Sequence, residues 1–379
     1  MKKRLVLSQL LLLPLLFCLF ACGGGKKETS ATNGAMGYTV EYARGFQVNR
    51  QPDYTVVTVR DPWDTIRVLQ QYVLVEKSAS LPASLPSGKL IRTPLTNVVA
   101  YSTIHCATLQ ELQSIGIIKG VCESKYIDIP YIKQAVAEGR IPDLGMAGNP
   151  DIERVIMLSP DAIFATPIQG MPYGNVEKTG IPMIETPDYM ESSPLGRAEW
   201  IRFYSLFIGK EALADSLFHE TVGRYRAICE KTKQVDRSPS VFMDLKYGNV
   251  WYIAGGKSFL ANMVKDAGAN YIWADDSSTG ALPLAFETVL DKAGEAEIWL
   301  VKYNNMEDLT YLRLANEYKP YSYFTAFKNR SIYECNTGKS TYYEDLPIHP
   351  DYILQDMAFV FHPELFPGYE PKYYQKMKE

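Results

Sequence analysis

The chain opens on a basic start and an apolar run, MKKRLVLSQLLLLPLLFCLFAC, whose length is that of an export signal rather than of a core helix, so residues 1–22 are set apart from the fold. Residues 23–36, poor in apolar side chains and rich in Gly, Ser and Thr, read as a flexible tether. Residues 37–95 alternate apolar and polar positions (YTVEYA, YTVVTVRD, RVLQQYVLV) and close on SASLPASLPSGK, which predicts a small antiparallel β extension. From Asn97 the rhythm changes to short apolar strands between helical stretches: NVVAYS, TLQELQSIG, IKGVCE, DIERVIML, AIFAT, IPMIET. That alternation predicts a parallel sheet covered by helices. After Pro194 runs the longest helical stretch outside the signal, with Gly209 as its break, and Leu217, Phe218, Thr221, Tyr225 and Ile228 fall on one face. From Lys210 to Val235 it would form a rod of roughly 35 Å, enough to bridge two lobes. Strands and helices then restart with SVFMDLK, NVWYIAG, FLANMVKDAG, FETVLDKA, EIWLVKY and SIYEC. The expected architecture is α/β: two Rossmann-like parallel-sheet lobes, 96–208 and 237–379, joined by a helix at 209–236.

One unit recurs. In DIERVIMLSPDAIFATP and FETVLDKAGEAEIWLVKY, Glu153 and Glu287 each open a helix of two turns that leads into an apolar strand. A negative charge at a helix start also complements the macrodipole by about 0.3–1 kcal/mol, which accounts for either acid alone. The paired placement, one per lobe, points to a shared role.

Composition narrows the function. The length of 379 residues suits two domains, and a net charge of −4 gives no reason to expect a nucleic-acid partner. Leu19-Phe20-Ala21-Cys22 resembles a bacterial lipobox, with Phe20 bulkier than usual, and makes Cys22 the lipidation site of a periplasm-facing, membrane-anchored lipoprotein. Cys106, Cys122, Cys229 and Cys335 show no C-x-x-C spacing, and disulfides and buried free thiols both stay open. The four histidines, His105, His219, His349 and His362, lack metal-binding spacing, which disfavours a bare zinc or manganese cage. AGGKSF resembles the tail of a phosphate loop, but Trp251 stands where its first Gly belongs, so it reads as a Gly turn opening a helix. With no G-x-S-x-G and only scattered acids, no enzyme and no catalytic residue is expected.

Ligands of parallel α/β lobes meet loops at the carboxyl ends of strands. Those loops offer Tyr101, Ser102, Thr103 and His105; Met146, Ala147 and Asn149; Tyr189 and Arg197; Lys246, Tyr247, Trp251 and Tyr252; Tyr303 and Asn304; and Tyr342 and Tyr343. Aromatic rings with a few cations and hydroxyls suit a large, flat or anionic ligand better than a bare ion.

Across residues 90–365 the chain resembles the substrate-binding proteins of ABC importers for iron complexes and vitamin B12. VVAYSTIHCATLQELQSIGIIKGVC, GNPDIERVIMLSPDAIFATP, KTGIPMIET, SFLANMVKDAGAN and FETVLDKAGEAEIWLV carry the likeness. The resemblance implies a monomeric receptor of two lobes joined by a rigid helix. Its cargo would be a ferric siderophore or haem, alternatively cobalamin or another corrinoid, and it would hold no cofactor of its own. It implies that Glu153 and Glu287 dock on arginines of a permease dimer in the inner membrane. The β extension is additional to the family pattern, and Ala147 stands where a corrinoid receptor places an aromatic ring.

Overall fold

The computed structural model describes residues 39–64 and 66–379; the export signal, Cys22 and the tether lie outside them. The first four strands, β1 (Phe46–Arg50), β2 (Thr55–Arg60), β3 (Val68–Glu76) and β4 (Lys89–Thr93), form one sheet in that order. The antiparallel expectation holds for β1 to β3 and fails for β4, which pairs parallel to β3, Tyr72 against Lys89. SASLPASLPSGK is therefore the crossover that a parallel pair requires, not the end of the β region. YTVEYA also departs from expectation: its described residues, 39–43, belong to no strand.

The N-terminal lobe comprises β5 (Val98–Ala100), α1 (Thr103–Glu111), β6 (Ile118–Val121), α2 (Pro130–Ala137), the hairpin β7 (Gly145–Met146) and β8 (Asn149–Pro150), α3 (Ile152–Leu158), β9 (Ala162–Ala165) and β10 (Met183–Glu185). Its parallel sheet runs β10-β9-β5-β6, buried on both faces as the short apolar strands require. The chain then forms α4 (Pro194–Ala198), α5 (Trp200–Ile208) and α6 (Glu211–Thr232). Gly209 separates the last two at φ +66°, where a side chain would be strained. The 22 residues of α6 make a helix about 33 Å long.

The C-terminal lobe comprises β11 (Ser240–Met243), β12 (Lys246–Tyr247), β13 (Val250–Ala254), α7 (Phe259–Asp266), β14 (Asn270–Tyr271), β15 (Ala281–Leu284), α8 (Phe286–Ala293), β16 (Ile298–Tyr303), α9 (Tyr311–Glu317), α10 (Thr325–Lys328), β17 (Ile332–Asn336), α11 (Tyr342–Asp345), α12 (Pro350–Phe361) and β18 (Gln375–Lys376). Its sheet runs β14-β11-β16-β17-β18, parallel except for β18. NVWYIAG supplies β13 of a separate antiparallel sheet, β12-β13-β15, and not a strand of the parallel one. The molecule is thus α/β, with two parallel-sheet lobes joined through α6. Cys106, Cys122, Cys229 and Cys335 are free, and burial pushes the thiols of Cys106 and Cys122 up to about 12.

Each residue of α5 is buried, because the N-terminal sheet covers the face that the lobe leaves open. Phe46 packs edge-on against Trp200 and Phe203, with ring centres 5.0 and 5.4 Å apart, and Tyr72 meets Phe207 at 5.5 Å. Ahead of β1, five consecutive backbone N–H groups bond to two buried carboxylates instead of to a strand. Those of Glu41, Tyr42 and Ala43 donate to Glu199 at 2.7–2.8 Å, and those of Arg44 and Gly45 to Glu191 at 2.8–2.9 Å. Arg202 Nη1 bonds Glu199 at 2.7 Å and the Thr39 carbonyl at 3.0 Å. A Cβ on Gly45 would stand 2.6 Å from the Trp200 ring, so only glycine fits there.

Glu199→Ala leaves three N–H groups without their acceptor and takes one carboxylate from a buried guanidinium that keeps Asp215 and the Thr39 carbonyl. The expected loss is about 3–5 kcal/mol, read as a lower urea midpoint at unchanged slope; a loss below about 1 kcal/mol would contradict this anchoring.

Candidate functional site

Between the lobes lies a cavity of about 410 Å³. Tyr189, Met190, Ser192 and Arg197 line one side, and Asp244, Tyr252, Phe259, Thr279, Gly280, Ala281 and Leu346 the other. Direct contacts between the lobes frame it. Thr103 donates to Glu344 at 2.8 Å, Asn262 donates to the Ser192 carbonyl at 2.9 Å, and His349 Nε2 lies 3.5 Å from Glu111. A cavity of about 450 Å³ in the groove between α6 and α12 is slightly larger. It lies on helix faces rather than strand ends, and two of its cations are already paired, Arg224 with Asp351 and Lys372 with Asp345. The inter-lobe cavity is therefore the candidate site.

Arg197 is fixed from two directions. Ser193 caps α4 by accepting from the Gly196 N–H at 3.2 Å, and Pro194 begins the helix, so the short segment carries Arg197 at a set angle. Its Nε donates to Asp188 at 3.1 Å, and its guanidinium lies 5.5 Å over the Phe259 ring. Asp188 is 2% exposed; burial pushes its carboxyl up, while Arg197 opposes that shift. Nη1 and Nη2 of Arg197 have no hydrogen-bond partner among the described residues. The result is a pre-oriented fork suited to a carboxylate or another paired-oxygen edge. Tyr189 is held by its hydroxyl on the Pro167 carbonyl at 2.9 Å, and Tyr252 is half exposed, offering its ring.

Of the expected binding residues, Tyr189, Arg197 and Tyr252 come together on this cavity. Three others are core groups. Trp251 is fully buried, with its indole N–H on the Met243 carbonyl at 3.1 Å. Tyr342 is fully buried among Tyr343, Tyr373 and Tyr374. His105 is fully buried, with Nδ1 accepting from the Ser102 N–H at 3.2 Å and Nε2 3.1 Å from the Thr186 hydroxyl; burial lowers it to about 3. An imidazole so enclosed reaches no ligand, and its role is to orient the start of α1.

The remaining residues sit off this cavity. Tyr101 is buried edge-on against Tyr173, Ser102 stands at the N-terminus of α1 with its N–H on His105, and Thr103 holds Glu344 across the lobes. Ala147 lies in the β7–β8 turn, and the exposed Asn149 opens β8 opposite Met146. Tyr303 accepts from the Leu309 N–H at 2.8 Å and fixes its own loop, while Tyr247 projects at 82% exposure. Sequence reasoning missed Asp188, Asp244 and Phe259. Asp244 directly follows β11, so the same strand-end rule that selected Lys246 points to it.

Glu153 and Glu287 stand exposed in the first turns of α3 and α8, without polar partners among the described residues. Arg154 is instead tied to the helix cap, its Nε 3.2 Å from Asp151.

A family model described as periplasmic binding protein matches residues 98–337. The chain belongs to that family. Periplasmic binding proteins are solute receptors, and the match spans both lobes while leaving β1 to β4 outside it. This periplasmic binding protein is 28% identical over 326 residues to an uncharacterized lipoprotein of Methanocaldococcus jannaschii, covering 81% of this chain and 76% of that one. Its fold matches a periplasmic heme binding protein from Pseudomonas aeruginosa at a TM-score of 0.58, with 15% identity, covering 75% of this chain and 99% of that one. It also matches an ABC-type Fe3+-hydroxamate transport system structure from Saccharomonospora viridis at 0.55, with 17% identity, covering 72% and 94%.

His105 sets a pH dependence. Its native pKa lies below the ordinary value of about 6.5, so the unfolded chain takes up the proton first as pH falls, and this group's contribution, full above that value, is lost on the way down to about 3. Relative to His105→Gln, the wild type should lose about 2–3 kcal/mol more between pH 7 and 4.5 in urea unfolding; parallel losses would contradict the buried neutral imidazole.

Proposed function

We propose that this periplasmic binding protein captures a metal chelate, a ferric siderophore or haem, in the cavity between its lobes. It then delivers the chelate to the permease dimer of an ABC importer, acting as a monomer held at the membrane by a lipid on Cys22. The observation that carries this reading is the Arg197 fork, fixed by Asp188 and Phe259 in a cavity that also presents Tyr189 and Tyr252. A guanidinium beside aromatic rings recognises the oxygen-rich edge and flat faces of a chelate. Among the described residues no three His, Cys, Asp or Glu side chains converge, which favours a chelate over a bare ion. The fold likenesses to heme and hydroxamate receptors support the same class. The lipoprotein relative supports the anchor; among the described residues no helix is long and apolar enough to cross a membrane.

Delivery would use Glu153 and Glu287. Each carboxylate is exposed at a helix start of a different lobe, and acid–arginine contacts orient a docking face while remaining weak enough to release.

Tryptophan fluorescence titration with ferric trihydroxamate, haem and cobalamin should show saturable quenching by one of the first two. Arg197→Ala should weaken that ligand by about tenfold or more; flat titrations with all three would refute the reading. In the double variant Glu153→Ala/Glu287→Ala, uptake should be lost with affinity unchanged within about twofold, because neither acid lines the cavity. Wild-type uptake would reduce both residues to helix-dipole partners.

A further inference from the structure

The wall facing Arg197 carries a carboxylate built with equal care. Asp244 follows β11 at φ +67°, a left-handed backbone that Asp accepts more readily than most side chains. Two buried indoles hold that turn: Trp251 Nε1 donates to the Met243 carbonyl at 3.1 Å, and Trp299 Nε1 to the Asp244 carbonyl at 2.8 Å. The Asp244 N–H donates to the Leu300 carbonyl at 2.8 Å. On the side chain, Oδ1 pairs with the Lys302 ammonium, while Oδ2 has no partner among the described residues. Asp244 lines the cavity and Lys302 does not. Burial alone would lower the Lys302 ammonium, but the adjacent carboxylate overrides it and raises it. Of the pair, the acid is the partner that faces the cavity.

Given the cleft as the chelate site, we infer that the cargo is amphoteric: an oxygen-rich edge meets the Arg197 fork, and an ammonium or other cationic donor meets Asp244. A uniformly anionic chelate would satisfy Arg197 but face the free oxygen of Asp244, a like-charge contact that selects against it.

The test uses two ferric trihydroxamates that share one chelating core. One ends in a primary ammonium; in the other that amine is succinylated and ends in a carboxylate. By fluorescence quenching the ammonium form should bind about tenfold tighter or more, Asp244→Asn should narrow the gap to within about twofold, and Arg197→Ala should weaken both forms alike. Asn accepts the left-handed backbone as well as Asp, and an unchanged melting curve establishes that the turn is kept. Equal affinities, a reversed preference, or a gap that survives Asp244→Asn would overturn the inference while leaving the chelate site standing. Binding of neither form would overturn this inference, and only if haem also failed to bind would the chelate reading fall with it.

Discussion

Two buried carboxylates, Glu191 and Glu199, hold the segment on which the rest of the molecule turns. Residues 188–202 face two ways. Toward the cleft they present Tyr189 and Arg197, with Asp188 buried behind the guanidinium; Glu191, which also borders the cavity, and Glu199 collect five successive N–H groups of residues 41–45. Such buried charges are weak contributors compared with apolar replacements of the same shape, but costly to break once present. Their effect is to fix one geometry. The N-terminal sheet is therefore the covering that allows α5 to be buried all round and that immobilises the rear of the cleft wall.

The same logic recurs in the second lobe. There the indoles of Trp251 and Trp299 play the part that the carboxylates play in the first, fixing carbonyls at the end of β11 so that Asp244 is held at the cavity. Each wall thus carries one polar side chain held by an ion-pair partner, Arg197 by the buried Asp188 and Asp244 by Lys302. Binding then need not order these groups, and pre-orientation of this kind lowers the entropic cost of recognition. The direct bridges, Thr103 to Glu344 and Asn262 to Ser192, hold the two walls in register.

The α/β class was legible in the sequence because both parallel sheets consist of short apolar runs between helical stretches, a rhythm few other folds share. The β4 strand was not, since KLIRT follows a Pro- and Ser-rich stretch that reads equally as a terminus or a crossover. YTVEYA alternates like a strand, yet its N–H groups found a carboxylate more than 150 residues away, which no local pattern reveals. At the site, Arg197 and Tyr252 were picked out as loop residues, and the fold puts them instead in α4 and β13 at the cavity. Trp251 and His105 were misread because a polar ring at a strand end looks the same whether its nitrogen meets a ligand or a nearby backbone group. Phe259 opens α7 and reads as core; only the fold lays it beneath a guanidinium.

The central claim is that a chelated metal sits between the lobes under Arg197. Anomalous diffraction at the iron edge, from crystals grown with a ferric trihydroxamate or with haem, tests it most directly. The account predicts a single iron peak in the cavity bounded by Tyr189, Arg197, Asp244 and Tyr252. Iron found instead in the groove between α6 and α12, with the inter-lobe cavity holding only solvent, would contradict it.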